Sequence, residues 1–272
     1  MTAALIDGVA VARERAETLK QRLAPNVTLG IILATDNAAT KRYVAAKQKV
    51  ADTLGVSLRV ESLGATATKA EIIAACSRFN KDTGITAYIV QLPLPDSVEP
   101  RAIFAAVDPA KDADGLTATH LGKMVAGSST VLPATARGVL SLLDHYGVPL
   151  TGATVTVIGR GMLAGLPCAI ALGHRGATVT SCDTHTQDLV AATRGADIVV
   201  SAAGHPGLLT ARMVKPGAVV IDIGTTQVGD ALVGDVVFDD VRKVAGLISP
   251  VPGGVGPLTV ISLFENLHDL AA

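Results

Sequence analysis

The 272-residue chain carries 23 lysines and arginines against 24 aspartates and glutamates, so its charge points to neither a polyanion nor a charged membrane surface as partner. About half of it is hydrophobic but only 3% is aromatic, a balance that suits α/β layers built on buried parallel strands. Length sets an expectation of two domains, and no apolar run approaches the roughly 20 residues of a membrane span. The N-terminus becomes charged too early for a secretory signal. Cys76, Cys168 and Cys182 are odd in number and lack C-x-x-C spacing, so they read as small buried hydrophobes of a reducing cytoplasm. The histidines show no ligand spacing, and no metal is expected.

In chain order, the pattern predicts helix 9–23, strand 28–33, helix 38–54, strand 56–62, helix 69–80, strand 86–90 and helix 100–106. Strands alternating with helices mean βαβ units and a parallel sheet. A polar, glycine-containing stretch at 108–132 interrupts this rhythm and is the candidate junction. Helix 135–146 follows. The second unit then reads as strand 154–158, helix 166–172, strand 178–182, helix 187–194, strand 197–201, strand 218–223 and a short segment at 234–237. The last helix spans 258–270, with Pro257 suited to the first helical position.

The second unit opens on a strand, then Gly159, Gly161 and Gly165, then a helix. That order lets backbone N–H groups approach a pyrophosphate at a helix N-terminus. The spacing is one residue longer than the usual fingerprint, and a plain strand-to-helix turn would also use glycine for its positive φ.

Four other places could carry chemistry. On helix 38–54, Ala46, Val50 and Leu54 form an apolar stripe that includes Tyr43, with Lys47 on its edge one turn later. Lys47 is either a stem covering apolar surface or a partly desolvated amine of lowered pKa beside an aromatic platform. Gln91 ends a buried strand, where open sheets place ligands, and offers a donor and an acceptor to a heterocycle; it also reads as a loop amide before two prolines. The run from Asp108 to Gly115 lacks calcium-loop spacing. It reads as a tight turn capped by aspartates, or as carboxylates anchoring a pterin-like amidine. The run from Ser249 to Pro257 sets three glycines between prolines before a helix, a rigid turn that another molecule can approach closely.

Together, Y-V-A-A-K at 43–47, V-Q-L-P-L-P at 90–95, P-A-K-D-A-D-G at 109–115, V-I-G-R-G at 157–161 and P-V-P-G-G-V-G-P at 250–257 resemble the bifunctional methylenetetrahydrofolate dehydrogenase/cyclohydrolase (FolD) family over nearly the whole chain. The resemblance implies two α/β domains with a folate cleft between them: a folate-binding, catalytic domain at 1–123 plus the C-terminal helix 257–272, and a Rossmann-type NAD(P)-binding domain at 124–256. It implies oxidation of 5,10-methylenetetrahydrofolate with NADP and hydrolysis of the methenyl product to 10-formyltetrahydrofolate. It further implies a cytoplasmic homodimer with neither nucleic acid nor membrane as partner. Lys47 would be the key catalytic residue, Gln91 would position it, Tyr43 would stack on the folate and Asp114 would anchor the pterin. Leu92, Pro93, Pro252, Gly253 and Gly254 would line the substrate. Gly159, Gly161, Gly165, Pro167, Thr184 and Thr225 would surround the cofactor, with Arg160 receiving its 2′-phosphate.

Several positions depart from the family pattern. Ala134 and Ala136 replace a cysteine and a proline, Ser249 replaces a threonine, and Thr225-Thr226 stands where many members have Ile-Asn. Asp183 stands where a histidine is usual, about 24 residues past Gly159 and close to where a carboxylate binds the ribose 2′-hydroxyl of NAD. An aspartate there repels a 2′-phosphate and Arg160 attracts it; the expectation is NADP, with NAD as the alternative. The competing readings are an NAD-dependent monofunctional dehydrogenase, a shikimate-type dehydrogenase and a non-catalytic dinucleotide-binding dimer module. The intact Tyr43, Lys47, Gln91 and Asp114 set argues against the first and the third, and the Q-L-P-L-P and P-G-G-V-G-P stretches argue against the shikimate type.

Overall fold

β-Branched runs become strands wherever helices can cover both of their faces. The computed structural model describes residues 2–229 and 231–272, the side chains at 38 and 39 apart, and divides into two compact units. One takes the chain up to Arg13 together with Thr135–Thr259; the other takes Glu14–Ala134 with Val260–Ala272.

The first unit holds a six-stranded parallel sheet in the order Ala4–Leu5, Leu247–Ile248, Val219–Asp222, Ile198–Ser201, Thr154–Ile158, Thr178–Cys182. Val199, Val220, Leu209, Val241 and Ile248 are fully buried in its core. Thr156, an isolated hydroxyl in that layer, donates to the carbonyl of Ala192 at 2.6 Å, which removes the cost of its burial. These compact units are cut differently from the expected functional domains at the start of the chain, at 124–134 and at 257–259. Ala4–Leu5 adds an edge strand to this sheet, so the start of the chain belongs with the glycine-turn unit, and residues 124–134 belong with the other. Two-residue strands are too short to show a period, and both Ala4–Leu5 and Leu247–Ile248 escape the pattern for that reason.

The second unit centres on a three-stranded parallel sheet in which Thr28–Leu33 lies between Ser57–Ser62 and Ala87–Gln91. Phe79 of the helix Lys69–Lys81 meets Tyr88 edge-on with ring centroids 5.4 Å apart. A Cβ at Gly30 would come within 2.7 Å of the Phe79 ring, so glycine is what lets that helix seat on the sheet. Thr68 and Glu71 form a capping box that starts the helix.

Stretch 108–132 is more regular than its composition suggests. It contains the 3₁₀ turn Pro109–Lys111 and the helix Ala118–Val125, capped by Thr117. Residues 234–237 do not form a strand; Val236 makes an isolated bridge to Leu209, while Thr226–Val228 and Ala231–Val233 form an antiparallel pair. The final helix begins at Val255, not Leu258. Pro257 is therefore its third residue, where a missing N–H still costs no intrahelical bond. Among the described residues, no helix is long and apolar enough to cross a membrane.

Candidate functional site

Helix Ala38–Leu54 sets the first cluster. Its buried face runs through Thr40, Ala51 and Leu54, with Val44 and Lys47 half-buried between them. The stripe expected through Tyr43 and Ala46 is thus rotated: both of these are exposed, and Lys47 sits within the covered face rather than at its edge. Tyr43, one turn earlier, presents its ring to solvent at 40% exposure.

Lys47 Nζ donates to Gln91 Oε1 at 2.7 Å. Gln91 is the last residue of the strand Ala87–Gln91, and its Nε2 donates to the Leu92 carbonyl at 2.8 Å, so the amide is fixed with its oxygen toward the lysine. Burial pulls the Lys47 pKa below its ordinary value, and the charge of Asp114 acts in the opposite sense. Burial pushes Asp114 up to about 7, with Lys47 holding it down and Asp112 pushing it further up. Each charge thus influences the other's titration, the ammonium favouring the carboxylate and the carboxylate favouring the ammonium.

The turn that carries Asp114 divides its carboxylates by task. Asp108 accepts from the Ala110 N–H at 2.9 Å, and Asp112 accepts from Gly115 at 2.9 Å and Thr117 at 2.7 Å. These two do the capping. Lys111 Nζ ties the turn to the Phe79 and Asp82 carbonyls at 2.9 and 2.6 Å. Buried Asn266 holds its far side by donating to the carbonyls of Ala113 at 2.8 Å and Leu132 at 2.7 Å. Among the described residues, Asp114's carboxylate takes no hydrogen bond from the turn, which leaves it available to a ligand. The peptide Leu92–Pro93, directly after Gln91, is cis.

In the other unit, Gly159 follows the strand Thr154–Ile158 with φ +103°, and a Cβ there would lie 2.3 Å from the Ala202 carbonyl oxygen. A Cβ at Gly165 would lie 2.0 Å from the Gly159 oxygen. Both glycines are demanded by the turn itself. Gly161 is different: a Cβ there would meet nothing within 4 Å. Helix Gly165–His174 starts without a side-chain cap, and Pro167, its third residue, has no N–H to satisfy. An uncapped helix start beside an open glycine fits a pyrophosphate.

Arg160 Nη1 donates to Asp183 Oδ2 at 3.0 Å and Nη2 to the Ser181 carbonyl at 2.6 Å. Thr184 and Thr225 are exposed nearby in sequence to these strand ends. In the 249–257 stretch, Val251–Pro252 is cis and Gly253 has φ +103°. A Cβ at Gly254 would approach the Pro250 oxygen to 2.5 Å, and one at Gly8 would approach the Gly254 oxygen to 1.8 Å. Packing therefore explains Gly254, whereas Pro252 is exposed and a Cβ at Gly253 would meet nothing within 4 Å.

Two family descriptions match the chain: "Tetrahydrofolate dehydrogenase/cyclohydrolase, catalytic domain" over residues 6–114 and "Tetrahydrofolate dehydrogenase/cyclohydrolase, NAD(P)-binding domain" over residues 133–272. The chain belongs to the tetrahydrofolate dehydrogenase/cyclohydrolase family. It is 42% identical over 270 residues to the bifunctional protein FolD of Methanospirillum hungatei, covering 98% of this chain and 97% of that one. Among solved structures, the Trypanosoma brucei methylenetetrahydrofolate dehydrogenase-cyclohydrolase, complexed with NADP and an inhibitor, matches with a TM-score of 0.95 and 37% identity, covering 100% of this chain and 98% of that one. The FolD enzyme of Campylobacter jejuni matches with a TM-score of 0.94 and 36% identity, covering 99% and 98%.

The NAD(P)-binding domain of this family member also holds a buried acidic pair that the sequence reading passed over. Asp235 Oδ2 accepts from Ser201 Oγ at 2.9 Å, Ala203 N at 2.8 Å and Gly204 N at 3.3 Å, and its Oδ1 accepts from His205 N at 2.7 Å. Asp222 accepts from Gly224, Asp235 and Val236 N–H groups at 3.0, 3.1 and 3.0 Å, and its own N–H donates to Ser249 Oγ at 2.7 Å. Burial raises the Asp222 pKa to about 6, against the lowering effect of those N–H donors. The pair shapes the loops just past the carboxyl ends of the strands Ile198–Ser201 and Val219–Asp222, where sheets of this kind place ligands. The available signal was an acid at a strand end in I-D-I-G, followed by G-D at 234–235. Glycine stands at 224 and 234 because a Cβ would fall within 2.1 Å of Asp235 and 2.0 Å of Asp222 respectively.

Proposed function

We propose that the chain oxidises 5,10-methylenetetrahydrofolate to the 5,10-methenyl form with NADP and hydrolyses the methenyl form to 10-formyltetrahydrofolate. The observation that carries this reading is Lys47, an amine of lowered pKa held at 2.7 Å by a fixed amide and facing the charge of Asp114. Family membership supplies the substrate class, and the NADP complex of the trypanosomal relative supports the cofactor.

Bound NADP supplies the hydride acceptor. The chain's own residues do the rest. Tyr43 offers its exposed ring as a stacking face for the pterin. Asp114, ionised against a pterin amidine, accepts two parallel hydrogen bonds and fixes the ring's orientation. Leu92, Pro93, Pro252, Gly253 and Gly254 line the substrate. Lys47 takes a proton from the water that adds to the methenyl carbon and returns one to the ring nitrogen that leaves, work that the lowering of its pKa by burial favours. Gln91 keeps the amine aimed. Gly159, Gly161, Gly165 and Pro167 would cradle the pyrophosphate, Arg160 would meet the 2′-phosphate, and Thr184, Thr225 and Asp183 would complete the surround. We further infer a cytoplasmic homodimer joined through the cofactor domain.

The test is a spectrophotometric assay of the purified protein with 5,10-methylenetetrahydrofolate and NADP, followed by measurement of methenyl hydrolysis. Absence of both reactions from a folded protein sinks the assignment. Light scattering in the same buffer checks the dimer.

A further inference from the structure

The ion pair between Arg160 and Asp183 changes what the glycine turn offers a dinucleotide. Asp183 follows the strand Thr178–Cys182, and its carboxylate is held in place by its own turn. Oδ1 accepts from the His185 N–H at 2.9 Å, while the Asp183 N–H donates to Thr186 Oγ1 at 3.0 Å. Oδ2 takes Arg160 Nη1 at 3.0 Å, and Arg160 Nη2 is occupied by the Ser181 carbonyl at 2.6 Å. The guanidinium is half exposed and the carboxylate a quarter exposed, so both can be reached from solvent.

A 2′-phosphate that arrives here meets a cation whose charge is already balanced, beside an anion that the turn prevents from swinging away. A bare ribose meets an acceptor at a strand end, where a carboxylate takes a 2′-hydroxyl. We propose that Asp183 is a specificity-determining residue which, through Arg160, reduces the preference for NADP so that the protein uses NAD as a second hydride acceptor. The proposal rests on the dehydrogenase reading above.

Calorimetric titration with 2′,5′-ADP and with 5′-AMP, which differ only in the 2′-phosphate, reads the effect without catalysis, and kcat/KM with NADP and NAD reads it in turnover. The wild-type protein is expected to bind 2′,5′-ADP no more than about tenfold tighter than 5′-AMP, and to reduce both dinucleotides, because the balanced pair offers a phosphate little net attraction. Asp183→Asn and Asp183→Ser are expected to widen both ratios by about tenfold or more, since removing a like charge beside a dianion relieves a repulsion of that size or larger. Arg160→Gln should erase the remaining preference for the phosphorylated ligand. Unchanged ratios in both folded Asp183 variants overturn the proposal, as does a wild-type protein that ignores NAD. Tight nucleotide binding without turnover of either dinucleotide would instead count against the dehydrogenase reading and leave the Asp183 effect to be read from calorimetry. Binding of neither nucleotide removes both.

Discussion

Lys47→Met removes the ammonium and keeps much of the side chain's volume, so its consequences follow from what that ammonium touches. It makes one charge-assisted bond, 2.7 Å to Gln91 Oε1, and its charge is the influence that holds Asp114 down to about 7. Losing the bond costs roughly 1.5–3 kcal/mol. That is offset by release of a desolvated cation, which costs several kcal/mol to bury, so the thermal midpoint should move by a few degrees at most. Hydrolysis of the methenyl substrate should instead fall roughly 10²- to 10⁴-fold, the usual share of a general acid–base group. Asp114 supplies an independent readout. Its folded pKa lies above the unfolded value, so the stability it contributes is complete below about 3.9 and is lost as pH rises through about 7. In Lys47→Met the upper end of that window moves to higher pH. Stopped-flow decay of the methenyl chromophore and thermal unfolding across pH 4–9 measure the two effects. Hydrolysis at the wild-type rate by the folded variant would refute the assignment of Lys47, and an unmoved pH window would refute the coupling to Asp114.

Gly161→Ala should leave stability within about 0.5 kcal/mol, because a Cβ there meets nothing, yet weaken NADP binding by at least about tenfold through the lost backbone approach. Gly165→Ala should instead destabilise by about 1–3 kcal/mol, since its Cβ would collide with the Gly159 oxygen; melting curves and nucleotide fluorescence titrations separate the two, and equal behaviour contradicts the division of tasks. Asp235→Asn presents an amide N–H₂ to donors now served by the carboxylate, at a cost of about 2–5 kcal/mol. The melting temperature should fall by roughly 5–15 °C, and an unchanged melt would show that the fold does not depend on those acceptor contacts. Asn266→Leu frees the turn that carries Asp114 and should raise the folate KM while leaving the NADP KM in place; a matched rise in both would mean general loosening.

Most strands of the two parallel sheets, the two-residue Ala4–Leu5 and Leu247–Ile248 excepted, were legible because buried parallel strands are dense in β-branched residues, and most helices followed from the spaces between them. Glycine at 159 and 165 could be read as a turn, but its separation from Gly161 could not. Two positions are required by packing and one is left open, and only coordinates distinguish a glycine that fits from a glycine that admits. Lys47 shows a subtler limit. Reading Tyr43, Ala46 and Val50 as the apolar stripe rotates the helix by about one residue, and only the sheet beneath decides which face is covered. The buried Asp222 and Asp235 were hard to read for the opposite reason. Most of their N–H donors lie 13 or more residues away, so the local I-D-I-G and G-D patterns hint at an acid but not at its partners.

The pairing of Ala4–Leu5 with Leu247–Ile248 also bears on how the chain is made. This edge strand must wait for a partner about 240 residues further along the chain, a delay of roughly 10–50 s at ordinary elongation rates. The other unit waits as well, since Asn266 reaches the carbonyls of Ala113 and Leu132 only once the final helix has emerged. A cut near residue 134 would therefore not yield two self-sufficient halves. Each piece would lack an end carried by the other, so the two units form a single inheritance: neither can be lent to another gene without a splice at both of its ends.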